Sequence, residues 1–338
     1  MGAGTEIEWA RQAGTIGLAI IVVVGRERRG PFAFLYERIK IFDSTFVPKL
    51  CENRDVKTGG GKFLIRSVFF RLALVGVAIY LAVCVGCASW QRHMIFVPRH
   101  YTAEQMDAAA REAGLERWRN ATGEAIGMKR LSPTQPARGT LLILYGNASW
   151  TTGCAHYVND IQKVAPFDVY LLEYPGYADR PGTPSEAVVF RAADEAFQLL
   201  QTNQPVYLLG ESLGSGVAAQ VAGTFTNKVA GLILLSPYNR LTGVAQERVR
   251  YLPAWLLLVD RFPSEVYLRQ YHGPVGVSVD GQDHVVPEKF GIRLYDEYQG
   301  PKRLWNFPDG RHIQIGEPAE QFWREATDFW MTNAVALK

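Results

Sequence analysis

The chain has 338 residues, of which 48% are apolar and 20% charged, with 36 Lys and Arg against 33 Asp and Glu and a net charge of +3. This apolar content and small net charge exclude a disordered chain, the four cysteines are too few for a disulfide scaffold, and the charge balance gives no electrostatic basis for binding nucleic acid. The length fits two ordinary domains or one large domain with additional segments.

The first 71 residues form a basic leader that differs from the rest of the chain. They contain 12 Lys or Arg against 7 Asp or Glu, a net charge of +5, so the remaining residues carry a net charge of −2. The apolar stretch at 15–25 has 11 residues, which is too short to span a bilayer and favours a buried or interfacial helix. Three glycines at 59–61 then predict a flexible break.

Residues 72–91 contain no charged side chain and read LALVGVAIYLAVCVGCASWQ. A helix of this length, at 1.5 Å per residue, spans about 30 Å, which is the thickness of the hydrocarbon core of a bilayer. Lys62, Arg66 and Arg71 precede the run. The positive-inside rule therefore predicts a membrane segment with its N-terminal side in the cytoplasm and the following chain exported, to the periplasmic or extracellular side. A buried core helix is the alternative.

The same run also has the layout of a signal peptide, with basic residues first, then an apolar stretch, then small residues around Cys87. VGCAS at 85–89 resembles the lipobox of bacterial lipoproteins, although Cys84 stands where that motif usually has Leu. The resemblance implies cleavage before Cys87 and lipidation of its thiol. Three alternatives stay open: a plain span, a cleaved and lipidated signal, and a protein whose translation starts near Lys62.

From Met94 onward, short apolar strands alternate with helices. Thr102 and Gln105 predict a capping box for a helix ending near Gly114, and a hairpin turned near Gly123 follows. Strands are predicted at 140–145, 169–174, 206–210, 232–236, 275–279 and 303–307, and helices at 155–164, 185–202, 215–224, 288–298 and 318–335. Strands that are apolar on both faces and separated by helices predict an α/β fold with a mostly parallel central sheet and helices on both faces.

The sharpest local motif is Gly210-Glu211-Ser212-Leu213-Gly214, a G-x-S-x-G sequence between an apolar strand and a helix. The two glycines allow an abrupt turn that exposes the Ser212 hydroxyl at the C-terminal end of the strand. The helix N-terminus behind it can stabilise a developing anion. This context predicts that Ser212 is a nucleophile; a glycine-rich turn with an incidental serine is the alternative.

A serine nucleophile needs a base, and the chain offers six histidines. His312 lies in the loop after the last predicted strand. Because the C-terminal ends of parallel strands face one crevice, this position is close to that of Ser212, and His284 is the alternative base. Asp283, which follows the preceding strand, is predicted to orient the imidazole, with Asp280 as the alternative acid.

An oxyanion hole requires two N–H donors beside the nucleophile. The first is predicted to be the backbone N–H of Leu213, the residue after Ser212. The second comes from a strand–helix loop earlier in the chain, and the N–H of Asn147, in the loop Tyr145-Gly146-Asn147-Ala148, fits that place. An ordinary turn at this loop is the alternative.

The chain from about residue 94 to 338 resembles the α/β-hydrolases, in the branch that holds serine aminopeptidase-like and monoacylglycerol-lipase-like enzymes. The order Ser212, Asp283, His312 is the order of that family. Further motifs fit in order: LILYGNA at 142–148 is similar to the family's H-G-N-A loop, EYPGY at 173–177 to its D-Y-x-G-Y-G turn, PSE at 184–186 to a helix start, and DHVVP at 283–287 to D-x-x-V-P. Tyr145 replaces the usual His and Glu173 the usual Asp; both lie outside the triad and bear on the shape of the substrate site.

A stretch of 38 residues separates the strand ending at Ser236 from the strand starting at Val275. It contains PAWLLL at 253–258, flanked by Arg248, Arg250 and Arg261. The stretch is a small cap over the acyl pocket, a membrane-facing surface, or an ordinary covering helix. It is too short for a large lid, so an open site is expected.

These patterns predict a membrane-tethered serine hydrolase that cleaves an ester or related acyl bond of a small-molecule substrate. They divide the chain into a leader (1–71), a transmembrane or signal segment (72–91) and a catalytic domain (94–338). Neither a cofactor nor a metal is expected, because the cysteines show no paired Cys or His spacing outside the apolar run. An aminopeptidase or thioesterase with the same triad, and a catalytically silent binding module of the same fold, are the alternatives.

Overall fold

The computed structural model describes residues 60–200, 204–314 and 319–333. The chain divides into two compact units, Met1–Phe70 and Arg71–Lys338, and the second contains every site residue discussed below. The apolar stretch predicted at 15–25 lies outside the described residues. The break predicted at the glycines is wrong for two of them, because Gly60 and Gly61 begin a helix; glycine is tolerated at a helix start, where hydrogen bonding is incomplete.

That helix, α1 (Gly60–Ile95), contains the whole apolar run predicted at 72–91. The most apolar stretch of 18 residues within 66–95 has a mean hydropathy of 2.5, and within the described part of the chain this is the one helix long and apolar enough to cross a membrane. Its large apolar side chains, such as Leu72, Val77 and Leu81, are exposed. A buried core helix, the alternative for this run, does not fit that exposure.

After α1, a capped helix and a hairpin precede the main sheet. Helix α2 (Ala103–Glu112) begins after Thr102, whose Oγ1 accepts a hydrogen bond from Gln105 N at 3.3 Å. In return, Thr102 N donates to Gln105 Oε1 at 2.9 Å, so the capping box is confirmed. The hairpin turns at Gly123, whose φ of +84° is a conformation that favours glycine.

Eight strands form one sheet in the order β1-β2-β4-β3-β5-β6-β7-β8. β1 pairs with β2, and β2 with β4, in antiparallel fashion, whereas all other neighbours are parallel. Every residue of β3, β5, β6 and β7 is buried, which explains why these strands are almost continuously apolar. The predicted α/β fold is therefore confirmed. The strands are β1 (Glu116–Arg119), β2 (Ala125–Arg130), β3 (Gly139–Leu144), β4 (Phe167–Leu172), β5 (Val206–Glu211), β6 (Val229–Leu235), β7 (Val275–Asp280) and β8 (Lys302–Phe307).

Helices occupy the connections between these strands. Helix α10 packs against α3, whereas α4 and α8 pack against α5. The connection from β6 to β7 holds three short helices, α6 to α8, in the stretch for which the sequence left a small cap, a membrane-facing surface or a covering helix as alternatives. The helices are α3 (Ala155–Val164), α4 (Glu186–Leu199), α5 (Leu213–Thr224), α6 (Leu241–Arg248), α7 (Ala254–Leu257), α8 (Ser264–Leu268), α9 (Glu288–Glu297) and α10 (Ala319–Asn333).

Candidate active site

The turn between β5 and α5 holds Ser212 in an uncommon conformation. Its φ of +49° and ψ of −113° lie in a region that favours glycine, and its N–H donates to Leu235 O at 2.9 Å. The flanking glycines are required by close approach. A Cβ on Gly214 would stand 2.0 Å from Leu144 O, and a Cβ on Gly210 would stand 2.7 Å from Gly214 O. The turn therefore has the geometry of a nucleophile elbow.

The three residues predicted as catalytic lie in one hydrogen-bonded line. His312 Nε2 is 3.1 Å from Ser212 Oγ, and His312 Nδ1 is 2.6 Å from Asp283 Oδ2. The second oxygen of Asp283 accepts hydrogen bonds from Val285 N at 2.7 Å and Val286 N at 2.8 Å. Because these two amides fix the carboxylate, Oδ2 is held toward the imidazole. The geometry fits an Nδ1–H that donates to Asp283 and an Nε2 that accepts from Ser212.

The two alternatives for base and acid lie elsewhere. His284 is exposed, and its backbone carbonyl accepts a hydrogen bond from the Arg248 guanidinium. Asp280 is buried, and its Oδ2 accepts from Ser236 Oγ at 2.9 Å and from Gln314 N at 3.2 Å. Burial raises the pKa of the Asp280 carboxyl to about 6.

Asp280 and Ser236 instead support the loop that carries His312, a role that the sequence did not indicate. Ser236 Oγ accepts a hydrogen bond from Ile313 N at 3.0 Å while it donates to Asp280. Ile313 has a φ of +62°, a left-handed conformation that a branched side chain rarely adopts. The pair thus fixes the residues directly after His312. Their positions in the sequence could have indicated this role, because Ser236 directly follows the buried strand β6 and Asp280 is the last residue of the buried strand β7.

The loop after β3 lies directly against the elbow. A Cβ on Gly146 would stand 3.4 Å from Ser212 Cβ, and Gly146 N donates to Glu211 Oε1 at 3.3 Å. Within the described residues, neither Asn147 N nor Leu213 N donates to a protein acceptor. The two N–H groups predicted for an oxyanion hole therefore belong to two segments that meet beside Ser212.

Asn147 is held from three directions. Its side-chain Nδ2 donates to Ile95 O, at the end of α1, at 2.9 Å. Its backbone carbonyl accepts from Tyr177 OH at 2.9 Å and from Val97 N at 3.3 Å. These contacts hold the side chain and the carbonyl of Asn147, while the peptide that carries the Asn147 N–H is held through Gly146 O, which accepts from Ser149 N at 3.2 Å.

Tyr145 and Glu173, which depart from the family pattern, are buried and contact each other. Tyr145 OH donates to Glu173 Oε1, and Thr151 donates to Glu173 Oε2 from its N at 3.1 Å and its Oγ1 at 2.6 Å. Burial raises the pKa of Glu173 to about 7, even though these hydrogen bonds lower it. Tyr145 and Glu173, the two residues that differ from the family pattern, therefore support the loop after β3 from its buried side.

Glu211, inside the G-x-S-x-G motif, is a second buried carboxylate under the same loop. Its Oε2 accepts from Tyr157 OH at 2.7 Å, while Oε1 accepts from Gly146 N.

Cys87, the candidate for lipidation, lies in α1 and is partly exposed. No group of three or more His, Cys, Asp or Glu side chains in the described part of the chain is arranged to hold a metal ion.

Comparison with known proteins identifies the family. A profile of the alpha/beta hydrolase fold matches residues 139–266. The uncharacterized protein Rv2307c of Mycobacterium tuberculosis is 31% identical over 253 residues, which cover 71% of this chain and 88% of that protein. The lysophosphatidylserine lipase ABHD12 of Danio rerio is 30% identical over 202 residues, about half of each chain (54% and 52%).

Solved structures show the same fold. The esterase Pf2001 of Pyrococcus furiosus aligns over 71% of this chain and 99% of its own, with a TM-score of 0.54 and 14% identity. Est1E of Butyrivibrio proteoclasticus aligns over 65% of this chain and 99% of its own, with a TM-score of 0.51 and 13% identity. The chain belongs to the α/β-hydrolase family, and it is a hydrolase of that family.

Proposed function

We propose that this hydrolase is a membrane-tethered serine hydrolase that cleaves a carboxylic ester through an acyl-enzyme. The observation that carries the proposal is the hydrogen-bonded line from Ser212 through His312 to Asp283 at the elbow. Two N–H groups beside Ser212, those of Asn147 and Leu213, supply the remaining requirement of acyl transfer.

In the first half-reaction, Ser212 Oγ attacks the ester carbonyl carbon and its proton passes to His312 Nε2. The carbonyl oxygen becomes an oxyanion, which accepts hydrogen bonds from Asn147 N and Leu213 N. Collapse of this intermediate breaks the bond to the alcohol, which leaves with the proton from His312. Asp283 stays ionised and stabilises the imidazolium while it exists.

In the second half-reaction, water attacks the acyl carbon bound to Ser212 Oγ. His312 takes a proton from this water and returns it to Ser212 as the carboxylic acid leaves. No group other than the side chains and amides of this chain is needed for either step.

We infer the tether and the substrate class from the rest of the molecule. The catalytic domain, 94–338, follows the exposed apolar run of α1, and the basic residues before that run predict that the domain is on the exported side. A relative named as a lysophosphatidylserine lipase supports an acyl ester of a lipid as the substrate.

The test is covalent labelling of the full chain in detergent with a fluorophosphonate. We expect wild type and His284→Ala to label, and Ser212→Ala and His312→Ala not to label. In esterase assays with p-nitrophenyl esters, Asp283→Asn is expected to lower kcat about 10³- to 10⁴-fold, and Asp280→Asn much less. Unlabelled wild type, or labelled Ser212→Ala, would contradict the serine mechanism.

A further inference from the structure

The segment around α7 exposes an unusual amount of apolar surface. Residues 249–259 read VRYLPAWLLLV and contain one charged residue, Arg250. Four of the side chains point away from the protein: Tyr251 is 82% exposed, Trp255 66%, Leu256 61% and Val259 63%. These four residues are the α7 patch. A contiguous exposed apolar surface of this kind marks an interaction site.

The α7 patch is attached to the flank of α1. Tyr80 OH donates to Tyr251 O at 2.9 Å, near the start of the segment. At its end, Gln91 Nε2 donates to Leu257 O at 3.1 Å and Gln91 Oε1 accepts from Val259 N at 2.7 Å. The segment therefore runs beside α1 from Tyr80 to Gln91, a distance along the helix axis of about 16 Å.

An ion pair between an exposed arginine and a buried carboxylate links the end of α1 to the same region. Arg92 Nε lies 3.0 Å from Asp260 Oδ2, and Asp260 is buried. The other oxygen of Asp260 accepts from Glu186 N, at the start of α4, at 2.9 Å. Because Asp260 is buried and pairs with both α1 and α4, this ion pair and the hydrogen bonds of Tyr80 and Gln91 together hold the α7 patch beside α1.

The length of α1 then determines where the patch lies. The uncharged run 72–91 matches the hydrocarbon core of a bilayer at about 30 Å. If the α7 patch lay outside the bilayer, the part of α1 beside it, from Tyr80 to Gln91, would lie outside as well. Only the residues of α1 before Tyr80 would then be left to cross the hydrocarbon core. Even counted from Ser67, the thirteen residues 67–79 extend only about 20 Å. The helix crosses the bilayer only if the patch enters it as well.

The composition around the patch fits the same depth. Tyr251, Trp255 and the exposed Trp90 of α1 are the residue types enriched at membrane interfaces. Arg250 and Arg261, both exposed, flank the patch and carry side chains long enough to reach lipid headgroups.

We propose that the α7 patch is embedded in a phospholipid bilayer alongside α1, in the half nearer the catalytic domain. This inference rests on the proposed membrane tether. It adds a second point of attachment, which fixes the orientation of the domain. Because Asn147, in the loop beside Ser212, donates to Ile95 O at the end of α1, the active site then lies close to the lipid surface. An acyl ester dissolved in the membrane then reaches Ser212 without crossing the aqueous phase.

The first test measures the depth of the patch in the full chain. Cys51, Cys84 and Cys87 are replaced by Ala, and the buried Cys154 is kept. A single cysteine is introduced, labelled with an NBD fluorophore, and reconstituted in phosphatidylcholine–phosphatidylglycerol vesicles that contain a lipid with a doxyl group on its acyl chain.

Three positions are compared: Leu256→Cys in the patch, Val77→Cys on the exposed face of α1, and Asp296→Cys on the exposed surface of α9. We expect quenching at positions 256 and 77 at least about threefold stronger than at position 296, because the first two probes contact acyl chains. Quenching at position 77 alone overturns the inference that the patch is embedded, whereas the proposed membrane tether still holds. Absence of quenching at both positions overturns the inference and the tether together. Protection of position 256 that disappears on dilution with empty vesicles assigns the patch to a second copy and also overturns the inference.

The second test measures delivery of substrate. Trp255→Gln/Leu256→Gln is compared with Leu131→Gln/Leu199→Gln, which changes two exposed apolar residues outside the patch. We expect the patch variant to hydrolyse a long-chain ester in vesicles at least about tenfold more slowly than wild type, and a soluble short-chain ester at the wild-type rate. The control variant should match wild type on both.

An unchanged rate on vesicles, or an equal loss on both esters, overturns the role in delivery. Fluorophosphonate labelling separates this result from the proposed function, since that reagent reaches Ser212 from water. If wild type does not label, the serine mechanism fails while the depth measurement still decides the position of the patch.

Discussion

Ser212, the proposed nucleophile, has a strained backbone. A φ of +49° with a ψ of −113° costs a residue with a Cβ about 1–3 kcal/mol. The same conformation directs Oγ to 3.1 Å from His312 Nε2. The strained backbone therefore positions the hydroxyl. Substitutions of Ser212 should change the stability of the protein and its activity independently of each other.

We expect Ser212→Gly to abolish fluorophosphonate labelling and to raise the free energy of unfolding by about 1 kcal/mol, because glycine adopts this conformation without strain. Ser212→Ala should abolish labelling and leave stability unchanged, since it keeps the Cβ. Thermal unfolding of the detergent-solubilised proteins measures the difference. If the glycine variant is no more stable than the alanine variant, the backbone at Ser212 is not strained.

Glu173 makes stability depend on pH in an unusual direction. Burial raises its pKa from 4.5 to about 7, so the folded protein holds a proton that the unfolded chain has lost between these values. Stability from this group therefore falls as pH rises from about 4.5 to about 7, by about 3 kcal/mol at most. Glu173→Gln keeps an acceptor for Tyr145 and cannot titrate.

The difference in melting temperature, wild type minus Glu173→Gln, should thus be more positive at about pH 5 than at about pH 8. The comparison removes the contribution of Asp280, whose raised pKa acts in the same direction in both proteins. An equal difference at the two pH values would mean that Glu173 is ionised throughout.

Among the secondary-structure elements, those that carry the site were the most predictable. The buried strands β3, β5, β6 and β7 are apolar runs, and they alternate with helices, so both the fold and the crevice at the strand ends followed from the sequence. Ser212 and Asp283 could be selected because they follow the buried strands β5 and β7, and His312 because it lies in the loop after the last strand, β8.

The supports of the site could not be predicted in the same way. Ser236 and Asp280 meet at the ends of neighbouring strands, and Glu211, at the end of β5, accepts a hydrogen bond from Tyr157 of α3. Such pairs are distant in sequence and leave no periodicity. Helix α5 also begins two residues before its predicted start, because the helix follows Ser212 directly and the glycines inside it obscure its pattern.

The contact between β3 and α5 should be intolerant of a single methyl group. A Cβ on Gly214 would stand 2.0 Å from Leu144 O, so Gly214→Ala must push the elbow away from the loop that carries Asn147. We expect a loss of about 1–3 kcal/mol of stability and labelling slowed by about a hundredfold. Gly76→Ala, where nothing lies within 4 Å, is the matched control and should label at the wild-type rate. Equal labelling of the two variants would show that this approach is not needed.

At the scale of the whole molecule, the near-neutral total conceals a division of charge. The leader carries a net charge of +5, and the remainder, with the apolar run and the hydrolase, carries −2. In the proposed topology the membrane separates the two, which is the distribution expected of a chain that keeps its basic end in the cytoplasm.

The form of the tether can be read from mass. If α1 spans the bilayer, Cys87→Ser should leave both the intact mass, apart from the substitution, and retention in the membrane fraction unchanged. Cleavage before Cys87 with lipidation predicts a shorter chain and an added lipid mass in wild type, both lost in the variant. Mass spectrometry of protein purified from membranes decides between them.

Through the hydrogen bond from Asn147 Nδ2 to Ile95 O, the end of α1 also holds the loop beside Ser212 in place. The last residue of α1 is thus a fixed point for the loop that carries the proposed oxyanion donor. A protease that cut the chain just after Ile95 would release a domain that keeps its sheet and the side chains of Ser212, Asp283 and His312. That domain would lose the hydrogen bond that holds the Asn147 loop. If α1 is the proposed membrane tether, shedding of the domain and loss of activity would then be one event.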